Sequence, residues 1–285
     1  MQTSHVVLRR VLSVCLLFVP SGILAGEAPA RVEEALARWR AAVGGEARVA
    51  EVRALSVSGA RRWVTAERDV NGERALELLL PDRFRRTDSS VLIKGAPPGV
   101  TRFVLDGQDA WVGGSDGSTH AIPRDFVHHE LLRYACVLLG APPSLGCNLA
   151  YAGEAEAPDG KAHAFDLTAP GGFAARLYLS QRDYTPLMLS YQGFPQVLTS
   201  RRVTMPSGAG ADVEKALKGI PPPPPPPPAQ AKKVEIQLHF EDYRPVEQLR
   251  LPHRITTSVE GVPTEEWTPS FKVNPPLKQE QFSRK

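Results

Sequence analysis

Ser115 stands inside Gly113-Gly114-Ser115-Asp116-Gly117, a match to the G-x-S-x-G nucleophile pattern. That pattern activates a serine only on a sharp strand-to-helix elbow. Here the glycines and aspartate follow a strand-like run and precede Thr119–Ile122, which reads as extended. A hairpin tip explains the segment better than an elbow. His128-His129-Glu130 is the one tight group of metal-type ligands. Adjacent helical residues point about 100° apart, so the two histidines cannot easily share one ion. The group reads as a solvated helix face. His120, His163, His239 and His253 are scattered singles, and Asp106, Asp109 and Asp116 read as turn formers. There is no phosphate-cradling loop and no dinucleotide fingerprint. No catalytic residue, metal site or cofactor is assigned.

Residues 1–25 read as a secretory signal peptide. Arg9 and Arg10 precede the apolar run Val11–Val19, Pro20-Ser21-Gly22 breaks it, and Ile23-Leu24-Ala25 is an acceptable cleavage site. No later stretch is apolar for the roughly 20 residues a membrane helix needs. The expected product is periplasmic or secreted, soluble, and begins near Gly26. Removing two arginines and no acid takes the formal charge from +3 to +1, which gives no electrostatic case for nucleic acid. Cys136 and Cys147 then remain as an even pair in an oxidising compartment, which predicts a disulfide.

The stretch Arg124–Leu139 is the strongest helix signal in the mature chain. Val127, Leu131, Tyr134 and Leu138 share one face, Leu132, Cys136 and Leu139 widen it, and His129, Glu130 and Arg133 fall mostly on the other side. Asp125 is the expected N-cap, and Gly140 with Pro142 the stop. Glu27–Val43 is a second amphipathic helix, ended by Gly44-Gly45. Between and beyond them the period is two. Leu55, Val57, Gly59, Arg61 and Trp63 alternate with smaller or polar neighbours, and Leu76, Leu78 and Leu80 form one face. Asn71-Gly72 and Asp106-Gly107 read as turns. Short strands recur about every dozen residues to Tyr191, and Val234–Tyr243, Glu247–Ser258 and Thr264–Val273 complete the series. The segment 195–233, with eight consecutive prolines at Pro221–Pro228, cannot join a sheet and reads as an insertion. A mostly β chain thus carries one amphipathic helix in its middle. That helix either covers a sheet face or acts as a movable lid over an apolar cavity.

The order of these pieces resembles the LolA/LolB-like lipoprotein-carrier superfamily. The residues that carry the resemblance are Val43-Gly44-Gly45 running into Leu55-Ser56-Val57-Ser58-Gly59; Leu80-Pro81-Asp82-Arg83-Phe84-Arg85; Val104-Leu105-Asp106-Gly107 with Ala110-Trp111; Tyr151-Ala152-Gly153-Glu154 with Asp159-Gly160; and Leu177-Tyr178-Leu179-Ser180 before Pro186-Leu187. Leu251-Pro252-His253-Arg254-Ile255 and Phe271-Lys272-Val273-Asn274 complete it. The resemblance implies an α+β, mostly β fold: an incomplete antiparallel β-barrel with an N-terminal helix and a central helical lid, one domain over residues 26–285. It implies a non-enzymatic carrier or sensor that binds the acyl chain of a lipid or lipoprotein. On that reading Trp63, Leu78, Phe84, Phe103, Trp111, Leu131, Tyr134, Leu138, Leu177 and Met188 line the cavity. The competing reading is a non-enzymatic envelope interaction or regulatory protein that uses the proline-rich insertion as its contact. A hydrolase built on Ser115 or the histidines is the third.

Overall fold

Helix α1 (Glu27–Val43) buries Ala35, Trp39 and Val43 and half-buries Val32 and Leu36, the stripe its spacing predicts. It ends at Gly44, which adopts φ +140 where a Cβ would lie 2.7 Å from the Gln248 carbonyl oxygen. Only glycine fits that turn. The structure is a computed structural model that describes residues 27–64, 69–91, 98–157, 160–194 and 232–284. The expected signal peptide and nearly all of the proline-rich insertion lie outside the described residues. Among those described, no helix is long and apolar enough to cross a membrane.

After a short helix α2 (Glu46–Glu51) come strands β1 (Ala54–Trp63), β2 (Val70–Leu79), β3 (Arg83–Ser90), β4 (Gly99–Asp106), β5 (Asp109–Gly114) and β6 (Thr119–Ala121). Helix α3 (Arg124–Leu138) follows. Then come β7 (Asn148–Ala157), β8 (Gly160–Ala169), β9 (Phe173–Ser180), β10 (Pro186–Gly193), β11 (Val234–Val246), β12 (Leu249–Val259) and β13 (Val262–Val273). All pair antiparallel in one 13-stranded sheet of order β6-β5-β4-β3-β2-β1-β13-β12-β11-β10-β9-β8-β7. The sheet does not close, so it is the incomplete barrel that the resemblance implies. The first and last strands meet in its middle, and β6 and β7 are its two free edges.

That order dictates where α3 goes. The helix joins one edge strand to the other, so it must cross the concave face. Its 15 residues span roughly 22 Å at about 1.5 Å per residue. Because the sheet curls around it, α3 is buried on nearly every side: ten of its residues are buried, Glu130 and His128 among them. The expected wet face of His129, Glu130 and Arg133 is thus corrected at Glu130, and the solvated reading of His128-His129-Glu130 at His128 and Glu130. Pro123, not Asp125, occupies the N-cap, and Asp125 sits in the first turn, where its charge favours the helix dipole. The C-terminal end is as read, with Gly140 at φ +59. Cys136 and Cys147 form the expected disulfide.

Asn71-Gly72 is not a turn but lies inside β2, with Gly72 opposite Arg61 on one side and Ser90 on the other. Gly113–Gly117 is a turn: Gly114 N–H donates to the Ser118 carbonyl across the β5–β6 connection, and Ser115 is exposed. No group of His, Cys, Asp and Glu residues suited to a metal ion occurs among the described residues.

Candidate ligand-binding face

The concave face divides into an apolar part and a charged part. Strand alternation aims Leu55, Val57, Arg61 and Trp63 of β1 inward, with Arg74, Leu76 and Leu78 of β2, and Phe84, Arg86 and Asp88 of β3. From the other half come Leu177, Leu189, Leu238, Phe240, Ile255, Trp267 and Phe271, which join one core with Val127, Leu131, Tyr134 and Leu138 of α3.

Eight of the ten expected cavity residues meet on this face. Leu78, Phe84, Leu131, Tyr134, Leu138 and Leu177 are buried in the shared core, while Trp63 and Phe103 are half-buried at its rim. Trp111 and Met188 do not join them. Trp111 stands opposite Val104 and Ala121, out of phase with the core residues Phe103 and Leu105. Its side of the sheet carries Arg85, which donates to the Gln281 carbonyl of the C-terminal segment. Met188 pairs with Tyr178 and His239 and lines an outer groove of about 550 Å³. A one-residue phase error moves a strand residue to the opposite face, and that is what separates these two from the rest.

The charged part contains what the sequence reading missed. Arg61, Arg74, Arg86, Asp88, Glu130 and Glu265 are all buried and interlocked. Arg74 grips Glu265 with both terminal nitrogens, at 2.5 and 3.1 Å, and its Nε donates to Asp88 at 2.8 Å. Arg61 Nη1 lies 3.3 Å from both Asp88 and Glu265. Arg86 approaches Asp88 at 3.1 Å and donates from Nη1 to Glu130 on α3. Three cations thus balance three anions. Aromatic rings cover the cations: Arg61 lies 3.6 Å from the Trp63 ring centre, Arg86 4.2 Å from Phe103, and Arg74 5.8 Å from Trp267. Gly72, opposite Arg61, has no side chain to compete for that space.

Burial alone would raise the Asp88 carboxyl, but Arg74, Arg86 and Arg61 outweigh it and hold the group at about 2. Burial also lowers Arg61, to about 10, with Asp88 and Glu265 pulling the other way. The Tyr134 hydroxyl is pushed up, chiefly by burial, and its ring packs edge-on against Trp267. Nε of Arg61 is buried without a hydrogen-bond acceptor, while Nε of Arg86 meets Asp88 as the 3.1 Å ion-pair contact without an aligned hydrogen bond.

The two ends of α3 are fastened differently. At the C-terminal end, the disulfide joins Cys136 to Cys147, and Arg40 of α1 donates to the Gly140 and Ala141 carbonyls, both at 3.1 Å. At the N-terminal end, Glu130 meets Arg86, Arg124 donates to the Gly107 carbonyl at 2.9 Å, and the exposed Phe126 leans on Phe103 with ring centres 6.0 Å apart. His129 reaches the Gly171 carbonyl oxygen at 2.8 Å.

This arrangement has the LolA-like fold. Among solved structures, the chain is similar to a LolA superfamily protein from Nitrosomonas europaea, with 8% identity, TM-score 0.50, and 88% of this chain and 97% of that one covered. It is similar in the same degree to a DUF1329 family protein from Desulfovibrio piger, with 6% identity, TM-score 0.50, and the same 88% and 97% covered. At such identities the likeness is one of fold. No family model matches the sequence, and no curated protein sequence matches it.

Proposed function

We propose that the chain is a periplasmic, non-enzymatic carrier or sensor: a single half-barrel domain after a cleaved leader, binding an acyl chain of a lipid or lipoprotein on the concave face. The observation that carries this reading is the fastening of α3. The helix that joins the two edge strands is tied by a disulfide at its C-terminal end, whereas its N-terminal end has only the two-residue link from β6 and side-chain contacts to hold it. Lifting the N-terminal half exposes Val127, Leu131 and Leu132, at a cost of roughly 5–9 kcal/mol on the usual scale for fully buried side chains. An acyl chain of about a dozen methylenes offsets that, at ~0.8 kcal/mol each. The exchange is near balance, as a carrier that must also release its cargo requires.

The test is native mass spectrometry of the purified exported protein with lipid extraction, alongside titration with a fluorescent fatty acid and phospholipid. Co-purified lipid, or binding at micromolar concentration, is expected. Bare protein that binds neither would remove the carrier reading. A second reading then stands, an envelope interaction or regulatory protein. It is favoured by the side-chain-filled core beneath α3.

A further inference from the structure

Five of the six buried charges belong to the sheet, and only Glu130 belongs to α3. While α3 is docked, the cluster is neutral. Once its N-terminal half lifts, the concave face keeps three guanidiniums against Asp88 and Glu265, a net charge of +1. Arg86 then loses the carboxylate its Nη1 holds. Apolar residues of similar volume would hold the helix at least as well, so a buried ion cluster is a weak device for stability alone. The cluster also leaves Nε of Arg61 without a hydrogen-bond acceptor, and Nε of Arg86 meets Asp88 only as an ion pair. Both cations sit beside the half-buried rings Trp63 and Phe103, at the rim where an entering molecule would meet them.

Building on the carrier reading, we infer that the ligand is an anionic amphiphile whose acidic head takes the place of Glu130 at Arg86. Its chain replaces the apolar face of α3. Head and chain therefore compete with two parts of the same helix, the carboxylate of Glu130 and the side chains of Val127 and Leu131. A guanidinium fork accepts a carboxylate or a phosphate equally well, so the shared chemistry is an acidic head on a single long chain. A neutral amphiphile of the same length recovers only the apolar exchange and leaves Arg86 unpaired.

The experiment is displacement of a neutral fluorescent probe, phenylnaphthylamine, from the full exported chain by four ligands of matched chain. Oleate and oleoyl lysophosphatidate carry the two acidic heads; oleyl alcohol and monoolein are neutral. One or both acids should compete roughly tenfold better or more than the neutral pair, the worth of a charge-assisted hydrogen bond. Which acid does so separates a free carboxylate from a phosphate head. Glu130→Gln should strengthen oleate or lysophosphatidate binding severalfold by removing the internal competitor, whereas a purely structural Glu130 would leave it equal or weaker. The paired variant Arg86→Met/Glu130→Leu, which leaves neither charge behind, should bring the acids down to the level of the neutral ligands. Equal competition by all four ligands in the wild type overturns this inference and keeps the carrier reading. A preference that survives in the paired variant also overturns it. Failure of every ligand and of the probe to bind removes the carrier reading itself, and this inference with it.

Discussion

Arg86 on β3 and Glu130 on α3 face each other across the boundary between sheet and helix, both almost wholly buried and hydrogen-bonded directly. Among the described residues, the pair is the one ionic link from α3 to the interior charge cluster. Breaking it from one side leaves a buried charge without its partner, which costs about 3–5 kcal/mol. Glu130→Leu and Arg86→Met should each show a loss of that order in denaturant unfolding. Made together, they should cost less than either alone, because neither charge remains to be stranded. Simple additivity of the two losses would show that the residues act independently, contrary to this geometry.

Asp88 gives the cluster a signature in acid. Burial opposes its ionisation, but Arg74, Arg86 and Arg61 hold the carboxyl near 2, against an ordinary value of 3.8. The folded state therefore binds that proton less readily than the unfolded chain does. The resulting stability is complete above the ordinary value and is lost as pH falls through about 2. The shift corresponds to a loss on the order of 2 kcal/mol. Denaturant unfolding repeated between about pH 5 and pH 2 should show the fall in wild type and a shallower one in Asp88→Asn. Parallel curves for the two proteins would place the acid response elsewhere.

The inward charges were half legible in the sequence. Alternation along β1 sets Arg61 in phase with Leu55, Val57 and Trp63, and along β3 it sets Arg86 and Asp88 in phase with Phe84. What spacing could not reveal is that β1 pairs with β13, which brings Glu265 to Arg74 across 191 residues of chain. Glu130 was misplaced for a related reason. Helical period assigns a wet and a dry side, but a sheet that curls around a helix leaves it little wet side. The helix bounds and the disulfide were legible because each rests on local signals: periodicity, glycine stops and a cysteine pair; the half-barrel was expected only from the resemblance carried by the order of the strand-and-turn pieces. Trp111 and Met188 needed strand phase to the residue, which turn signals alone do not fix.

The segment between β10 and β11 can be shortened. Gly193 and Val234 are direct partners in an antiparallel pair, so a turn of about four residues could join their strands. Replacing residues 195–232 with such a turn removes roughly nine-tenths of the loop. Closure entropy then favours the folded state by about 2 kcal/mol. The expected melting temperature is equal to or above that of the parent chain. A fall beyond about 10 °C would mean that the segment packs on the sheet.

Leu131 tests whether α3 moves as a unit. It is fully buried, one turn from Val127 and beside Glu130, in the half of the helix that the disulfide does not tie. A carboxylate there cannot stay docked in the core, so Leu131→Asp should drive that half of α3 off the sheet. In a helix that serves only as core, the loss spreads through the whole fold. It would resemble other large core disruptions, roughly 2–5 kcal/mol, with helix and sheet amides losing protection together. In a lid, the amides before Cys136 should exchange rapidly while those of β11, β12 and β13 keep their wild-type protection. The last turn, tied by the disulfide and by Arg40 at Gly140 and Ala141, should lie between the two. Hydrogen exchange read by mass spectrometry resolves these patterns. Joint loss of protection in α3 and the sheet would make the helix a fixed part of the core, and the carrier reading would lose its moving element.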